Sequence, residues 1–348
     1  MKQTGVLIVD DSAFMRRAIG LLFESNPGFY VVGIARNGEE AVEKAVRLKP
    51  DVITMDIEMP EMDGIAALSQ IMKASPCPVV MLSTQTGSGT VASLKALELG
   101  AVDFFLKADL LQDPPSPELI RDFLARVKEA ATAKLPDESL AVSAPVAIVD
   151  RSRAARAKTA DIELVVIGTS TGGPSALQAI LPRFPIDFPA AIIVVQHMPP
   201  GFTKPLADRF NTLCPLEVCE AADGDEIRAG RILVAPAGFQ TLIVKKPGGR
   251  YIVRLEAESD RLYKPSVDVT LSAAAPIFGE RMLTAILTGM GNDGLEGAGL
   301  VKAHKGHVVV ESESSCIVYG MPKVVWEAGL ADHQTPLGDM YNLIRTYV

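Results

Sequence analysis

Short apolar, β-branched segments alternate with amphipathic segments through residues 1–127 of the chain. The apolar segments cover residues 6–9, 30–34, 52–55, 78–82 and 102–105, and helical patterns cover residues 12–24, 39–48 and 116–127. Strands that alternate with helices form a parallel sheet, because each helix returns the chain to the same edge. The pattern therefore predicts a doubly wound α/β domain around a five-stranded parallel sheet.

A second, larger α/β domain is expected in residues 161–348. Its predicted strands cover residues 163–167, 191–195, 231–234, 242–244, 252–255, 284–288 and 307–310. The sequence Lys245-Lys246-Pro247-Gly248-Gly249 indicates an antiparallel hairpin, so a mostly parallel but mixed sheet is expected. Between the domains, residues 128–160 show no sustained period, and a basic run at 151–158 is interpreted as part of a solvated interdomain linker.

Composition limits the class of partner. The chain has 34 basic and 42 acidic residues and a net charge of −8, which disfavours nucleic acid and anionic membranes. Its four cysteines lack the spacing of a zinc site. The first apolar run is too short for a signal peptide, and the uncharged segment 164–182 holds too many glycines, prolines and hydroxyl residues for a membrane helix. A cytoplasmic protein without membrane insertion is expected.

Polar side chains follow four of the five strands predicted in the first domain. Asp10 and Asp11 end the first strand, Asp56 ends the third, and Ser83 and Lys107 end the fourth and fifth. Clustered carboxylates repel each other unless a cation joins them, and Mg²⁺ suits such a set while leaving room for a phosphoryl group. Asp56 could then attack a phosphodonor, with Lys107 neutralising the transferred charge and Ser83 sensing the new oxygens. Taken singly, Asp11 or Asp56 could equally serve a helix cap or a turn.

These motifs resemble those of response-regulator receiver domains. They are Val9-Asp10-Asp11-Ser12, Met55-Asp56-Ile57-Glu58-Met59-Pro60, Asp63-Gly64, Leu82-Ser83-Thr84 and Phe104-Phe105-Leu106-Lys107. The resemblance implies a flavodoxin-like fold, with Asp56 as phosphoacceptor and Ser83 and Lys107 as switch residues. It also implies that Mg²⁺ is bound by Asp10, Asp11, Asp56 and Glu58. The chain departs from that family at Ala108, because proline usually follows the lysine.

A glycine-rich turn follows the first strand predicted in the second domain. Gly168-Thr169-Ser170-Thr171-Gly172 has the G-x-S-x-G spacing, which places Ser170 on a tight turn between a strand and a helix with its hydroxyl exposed. N–H groups at the start of that helix could hold an oxyanion. The same turn could equally be an anion- or nucleotide-binding loop in which Ser170 is one more donor.

A nucleophilic serine needs a base, and the chain has four histidines. His197 follows the strand predicted at 191–195, at the sheet edge that also carries Ser170. A histidine is largely neutral near pH 7 and can take the serine proton. Surface or capping roles suit the others better: His304, His307 and His333.

The carboxylate that would orient this base is expected in the turn after residues 284–288. Asp293 lies there, within Gly289-Met290-Gly291-Asn292-Asp293-Gly294, which also satisfies the dinucleotide fingerprint G-x-G-x-x-G. That competing hypothesis places an aspartate against a pyrophosphate and leaves Ser170 and His197 without roles. A Ser170–His197–Asp293 triad is therefore favoured, in a chain order unlike that of α/β-hydrolases.

The second half of the chain resembles the catalytic domain of chemotaxis protein-glutamate methylesterases, the CheB family. The matching motifs are Ile167-Gly168-Thr169-Ser170-Thr171-Gly172-Gly173, Gln196-His197-Met198-Pro199-Pro200-Gly201-Phe202-Thr203, Lys264-Pro265-Ser266-Val267-Asp268, Leu287-Thr288-Gly289-Met290-Gly291-Asn292-Asp293-Gly294 and Gly320-Met321-Pro322. Together with the receiver and linker, the resemblance spans the whole chain.

This resemblance implies hydrolysis of glutamate γ-methyl esters on methyl-accepting chemoreceptors, with release of methanol, and deamidation of receptor glutamines. It assigns Ser170 as nucleophile, His197 as base and Asp293 as the orienting carboxylate, with no cofactor for ester hydrolysis. It assigns the Met290 backbone N–H and the Thr171 side chain as oxyanion donors. It also implies that a chemotaxis histidine kinase phosphorylates the receiver, which covers the hydrolase site until then. The alternative is an adapter whose second domain binds a nucleotide or a partner without hydrolysis.

Overall fold

The computed structural model describes residues 3–84, 87–110, 116–133, 135, 161–259 and 261–348. The first domain contains β1 (Thr4–Val9), α1 (Ala13–Glu24), β2 (Phe29–Ala35), α2 (Gly38–Leu48), β3 (Val52–Asp56), α3 (Gly64–Ala74), β4 (Val79–Ser83), α4 (Gly87–Glu98), β5 (Asp103–Leu106), α5 (Lys107–Leu110) and α6 (Pro117–Ala130). The five predicted strands are all present, each within two residues of its predicted bounds.

The five strands form one parallel sheet in the order β2-β1-β3-β4-β5. Its central strands are apolar and buried on both faces, as expected where helices cover both sides of a sheet. The side chains of Ser12, Asn37 and Asp63 accept the free N–H groups at the starts of α1, α2 and α3, so turn residues also cap the helices. This topology places the carboxyl ends of β1 and β3 side by side.

The second domain has a longer series of elements. They are β6 (Leu164–Thr169), α7 (Gly173–Ile180), β7 (Ala191–Gln196), α8 (Thr203–Leu213), β8 (Glu217–Glu220), β9 (Glu226–Ile227), β10 (Arg231–Val234), β11 (Gln240–Lys245), β12 (Tyr251–Glu256), α9 (Val267–Phe278), β13 (Met282–Ile286), α10 (Leu295–Ala303), β14 (His307–Glu311), α11 (Met321–Glu327), β15 (His333–Thr335) and α12 (Leu337–Tyr347). Strands β8, β9 and β15 were not expected from the sequence, because they are short and lack an apolar run.

Seven of these strands form a sheet in the order β15-β14-β13-β6-β7-β10-β8, and every pairing in it is parallel. The predicted hairpin is present as β11 and β12. The expectation that it joins the main sheet was wrong: it pairs with β9 in a separate three-stranded antiparallel sheet. The fold class of two α/β domains, the larger one mostly parallel with an antiparallel hairpin, is confirmed.

The two domains share buried apolar surface. Phe104 on β5 stacks on Phe202, just before α8, with ring centroids 4.6 Å apart. Helix α6 continues to Ala130, three residues beyond the predicted domain end, while the basic run at 151–158 lies outside the described residues. The domain limits themselves stay a prediction. No helix in the described part of the chain is both long and apolar enough to cross a bilayer.

Candidate active site

Three loops of the second domain meet at the carboxyl edge of its parallel sheet. Strand β6 lies between β7 and β13. The chain passes from β6 to β7 on one side of it and adds β13 on the other side later. Such a switch point is where open α/β sheets bind ligands. Ser170 follows β6 directly, His197 follows β7 directly, and Asp293 lies in the turn between β13 and α10. The fold therefore brings together the three residues that the sequence predicted as a triad.

The Ser170 turn is held by its backbone. The Ser170 N–H donates to the Thr288 carbonyl at 3.1 Å, and the Ser170 carbonyl accepts from Gly173 N–H and from the Gln196 side chain. Gly172 has φ +79°, and a Cβ there would meet Ile317 at 2.8 Å, so this turn requires glycine. The nucleophile candidate is thus fixed without using its own hydroxyl.

His197 is held by its Nε2 atom, which lies 2.7 Å from Asp293 Oδ2. Its ring also stacks on Tyr263, with centroids 4.1 Å apart and planes within 10°. Because the carboxylate can only accept, the proton of the neutral imidazole lies on Nε2. The buried Nδ1 atom has no hydrogen-bond partner among the described residues, so it is the nitrogen that can receive a proton.

The Asp293 carboxylate accepts four hydrogen bonds. Besides His197, it accepts from the Ser266 hydroxyl at 2.8 Å and from the N–H groups of Val267 at 2.7 Å and Asp268 at 2.9 Å. These last three groups form the amino-terminal end of α9. Burial alone would raise the pKa of Asp293, but His197 and the α9 amides hold that pKa well below its usual range. Asp293 is therefore a permanent anion beside the His197 ring.

The two predicted oxyanion donors have different surroundings. Met290 lines the same cavity, of about 290 Å³, as Ser170 and His197. A Cβ on the neighbouring Gly289 would lie 2.8 Å from the Ser170 Cβ, so glycine allows this backbone to approach Ser170 closely. The Thr171 hydroxyl instead donates to Asp103 of the first domain at 2.8 Å. In this conformation Thr171 is engaged across the domain boundary.

The α10 end of the G-x-G-x-x-G turn is already occupied by protein. A pyrophosphate would need the free N–H groups at the start of α10. Two of these, on Gly294 and Gly297, donate to the Asp268 carboxylate at 2.9 and 2.7 Å. A dinucleotide site also needs an acidic residue for the ribose at the end of a neighbouring strand, and Glu311 ends β14. Glu311 is buried and accepts from Thr288 N–H and the Ser315 hydroxyl. This geometry disfavours the dinucleotide hypothesis.

A second polar cluster lies at the carboxyl edge of the first sheet. Carboxylate oxygens of Asp10, Asp11 and Asp56 lie within 4.8 Å of one another, a spacing that could hold a divalent cation. Lys107 reaches Asp10 at 2.8 Å and Asp56 at 2.6 Å, although Ala108 replaces the usual proline. Burial raises the pKa of Asp56 to about 6, against the opposing effect of Lys107. The exposed Glu58 side chain is not part of this carboxylate group.

The predicted switch residue Ser83 is fully buried at the end of β4. Its hydroxyl lies 3.0 Å from the Thr84 carbonyl oxygen and accepts from the Ser93 hydroxyl at 2.9 Å. It is therefore linked to α4, the helix that follows it. The roles assigned to the residues of both clusters stay predictions; what the structure adds is their proximity.

The first domain closes one side of the active-site cavity. Its contribution to the lining comes from Phe105, Leu106, Asp109, Leu119, Asp122 and Arg126. Arg126 binds Asp103 through two nitrogens, at 2.6 and 3.0 Å, and Asp103 in turn accepts from Thr171. Asp103, Arg126 and Tyr263 were not predicted from the sequence, since nothing in a linear pattern indicates which surfaces of two domains meet.

Comparisons with known proteins cover both domains. The family model described as CheB methylesterase matches residues 165–344, and that described as response regulator receiver domain matches residues 6–112. A protein-glutamate methylesterase/protein-glutamine glutaminase of Oleidesulfovibrio alaskensis is 41% identical over 99% of both chains. One of Symbiobacterium thermophilum is 43% identical over 97% of this chain and 95% of its own. The crystal structure of the Thermotoga maritima CheB methylesterase catalytic domain matches with a TM-score of 0.53 and 42% identity, covering 54% of this chain and all of that one.

Proposed function

Since the chain belongs to the CheB family of protein-glutamate methylesterases, we propose that it hydrolyses glutamate γ-methyl esters on chemoreceptors and that phosphorylation of its receiver domain activates it. One observation carries this proposal. His197 binds the permanently ionised Asp293 through Nε2, which leaves its Nδ1 atom without a partner among the described residues, and it lines the same cavity as Ser170. Methanol release from membranes that contain methylated receptors tests the activity directly. We also propose that the protein is cytoplasmic.

In the proposed reaction, the Ser170 hydroxyl attacks the γ-carbonyl carbon while His197 Nδ1 takes its proton. The negative charge on the carbonyl oxygen is stabilised by the Met290 backbone N–H, and Asp293 stabilises the imidazolium. Collapse of the tetrahedral intermediate releases methanol, which takes the proton from Nδ1. Water then hydrolyses the acyl-enzyme by the same route, giving glutamate. A receptor glutamine would follow the same steps and release ammonia.

The receiver is proposed to take its phosphoryl group from a chemotaxis histidine kinase, at Asp56. Mg²⁺ bound by Asp10, Asp11 and Asp56 would supply the charge that neutralises the phosphoryl oxygens. Lys107 lies 2.6 Å from Asp56 and would bind one of those oxygens. The buried Ser83 hydroxyl, now bonded towards α4, would turn to another.

Strand β5 connects this reaction to the esterase site. Its four residues run from Asp103, which binds Thr171, through Phe104, which stacks on Phe202, to the residue before Lys107. A change in the position of Lys107 therefore acts on a strand whose side chains hold the second domain. We infer that phosphorylation weakens these contacts, frees the Thr171 hydroxyl and opens the cavity to a receptor segment.

A fragment that starts near Asp161 should release methanol faster than the intact, unphosphorylated protein. The fragment keeps the whole seven-stranded sheet and all three triad residues, and it lacks the receiver side chains that line the cavity. A small-molecule phosphodonor with Mg²⁺ should activate the intact protein and leave Asp56→Asn unchanged. The measurement is methanol release by the fragment, the intact protein and Asp56→Asn, each with and without phosphodonor.

The fragment itself is the internal control, because phosphodonor should not alter its rate. A fragment that is slower than the intact unphosphorylated protein would contradict simple inhibition. The receiver would then have to build or position part of the active site.

Arg209→Glu should raise the activity of the unphosphorylated protein roughly fivefold, because it replaces an attraction across the domain boundary by a repulsion. Arg209 on α8 pairs with Glu98 on α4 at 2.6 Å; the Glu98 side chain is largely shielded from water, and the Arg209 side chain is 34% exposed. Lys204→Glu is the matched control, since it makes the same charge change on α8 at an exposed site whose ion pair, with Asp208, lies within the same helix. Equal rates for the two variants would show that this ion pair does not hold the closed state.

A further inference from the structure

Helices α9 and α10 exchange caps through two aspartates. Asp293, just before α10, accepts from Val267 and Asp268 N–H groups at the start of α9. Asp268, in the first turn of α9, accepts from Gly294 and Gly297 N–H groups at the start of α10, at 2.9 and 2.7 Å. The Asp293 carboxylate thus caps α9, the helix that carries Asp268. The Asp268 carboxylate caps α10, the helix that follows Asp293. Nothing in the proposed reaction so far uses the Asp268 side chain.

We propose that Asp268 is a positioning residue for the triad: its carboxylate anchors the Gly294 and Gly297 N–H groups and so fixes Asp293, which in turn fixes His197. The inference rests on the proposed serine-esterase function and extends it. Among the described residues, the Asp268 carboxylate binds Gly294 and Gly297 and does not line the cavity, so it acts on His197 through the Asp293 loop.

The loop that carries Asp293 depends on this anchor. Gly294 has φ +100°, and a Cβ on Gly297 would lie 2.6 Å from the Leu271 Cβ, so α10 begins in close contact with α9. The Asp268 side chain is 5% exposed, and water does not replace it readily as an acceptor there. Without it, the first turn of α10 loses two hydrogen bonds and Asp293 loses its fixed distance from His197. A displacement of about 1 Å in a catalytic group can cost about 10²-fold in rate.

The test uses a fluorophosphonate, which phosphonylates an activated serine and loses fluoride, on the full-length protein with phosphodonor and Mg²⁺. Mass spectrometry of the Ser170 peptide gives the labelling rate at saturation, kinact, and the reagent constant, KI. In Asp268→Ala we expect kinact to fall by about 10²-fold with KI nearly unchanged. Asp268→Asn keeps an oxygen acceptor for the two amides and should recover to within about fivefold of wild type.

A merely structural cap would lower stability without changing the kinetics of the folded protein. The matched control is Asp332→Ala, which removes bonds to Val308 N–H and Lys302 and so loosens the far end of α10. It should lower the unfolding temperature and leave kinact unchanged. Circular dichroism shows that each variant is folded before it is labelled.

Three results would overturn the assignment. They are wild-type kinact in folded Asp268→Ala, a loss in Asp332→Ala equal to that in Asp268→Ala, and no recovery in Asp268→Asn. Should Asp268→Ala fail to fold, Asp268→Asn decides the matter, because it should label within about fivefold of the wild-type rate. A wild-type KI with a kinact at least tenfold below that limit also overturns the assignment. Failure of the wild-type protein to form any Ser170 adduct would instead contradict the serine-esterase proposal itself.

Discussion

Ser170→Ala should lower methanol release by at least about 10³-fold, because removal of a triad nucleophile leaves only the catalysis of the oxyanion site and of substrate binding. The fold should survive, since the Ser170 turn is held by the Ser170 N–H and carbonyl groups, which alanine retains. Phosphorylation of Asp56 should also be unchanged. The measurement is methanol release from methylated receptor membranes, with Asp56 phosphorylation followed in parallel.

Ser314→Ala is the matched control, because it removes an exposed serine hydroxyl outside the cavity lining. Activity of Ser170→Ala within tenfold of wild type would remove Ser170 from the mechanism. Absence of any serine adduct in the wild-type protein would favour the adapter hypothesis, in which the second domain binds a partner without hydrolysis.

Asp293→Asn should lower kcat by about 10⁴-fold. In the wild-type protein all four groups around this carboxylate donate hydrogen bonds to it. Asparagine replaces one carboxylate oxygen by an NH₂ group, which must therefore face at least one of these N–H donors. If the NH₂ faces His197, it forces the ring proton onto Nδ1, and the nitrogen that should accept the serine proton becomes a donor. If it faces the other way, it opposes Asp268 N–H, and the loop loses stability. Methanol release and the unfolding temperature are measured together.

Asp208→Asn makes the same chemical change on an exposed carboxylate and should leave kcat unchanged. Under the dinucleotide hypothesis, Asp293→Asn would remove negative charge from the loop and improve binding of an anionic cofactor. Unchanged esterase activity together with tighter NAD binding would therefore overturn the triad assignment.

The sequence was informative wherever function depends on strand ends. Alternation of strands and helices implies a common carboxyl edge, and Asp10, Asp56, Ser170 and His197 were identified because each follows a predicted strand within three residues. Asp293 was identified through its glycine-rich turn, which also matched a dinucleotide motif. The Asp268 carboxylate, which binds the N–H groups at the start of α10, and the buried contacts of Glu311 separate the two interpretations.

Features that depend on contacts between distant segments could not be predicted. The hairpin was recognised from its turn, but its pairing with β9 depends on a two-residue strand without a pattern of its own. The positions of the His197 and Asp293 loops in the folded protein determine which nitrogen of His197 binds Asp293. The bond between Thr171 and Asp103 crosses 68 residues and two domains, and it changes the surroundings of a predicted oxyanion donor.

The shared use of β5 by both sites has a thermodynamic consequence. If phosphorylation favours the open arrangement, then any ligand that fits only the open cavity must favour the phosphorylated receiver by the same free energy, because coupling between two binding equilibria is reciprocal. A methylated receptor segment bound at Ser170 would stabilise the positions that Lys107 and Asp56 adopt in the phosphorylated receiver. Abundant substrate would thereby shift the receiver towards the conformation that phosphorylation favours, and the receptor's methylation level would itself become an input to the receiver.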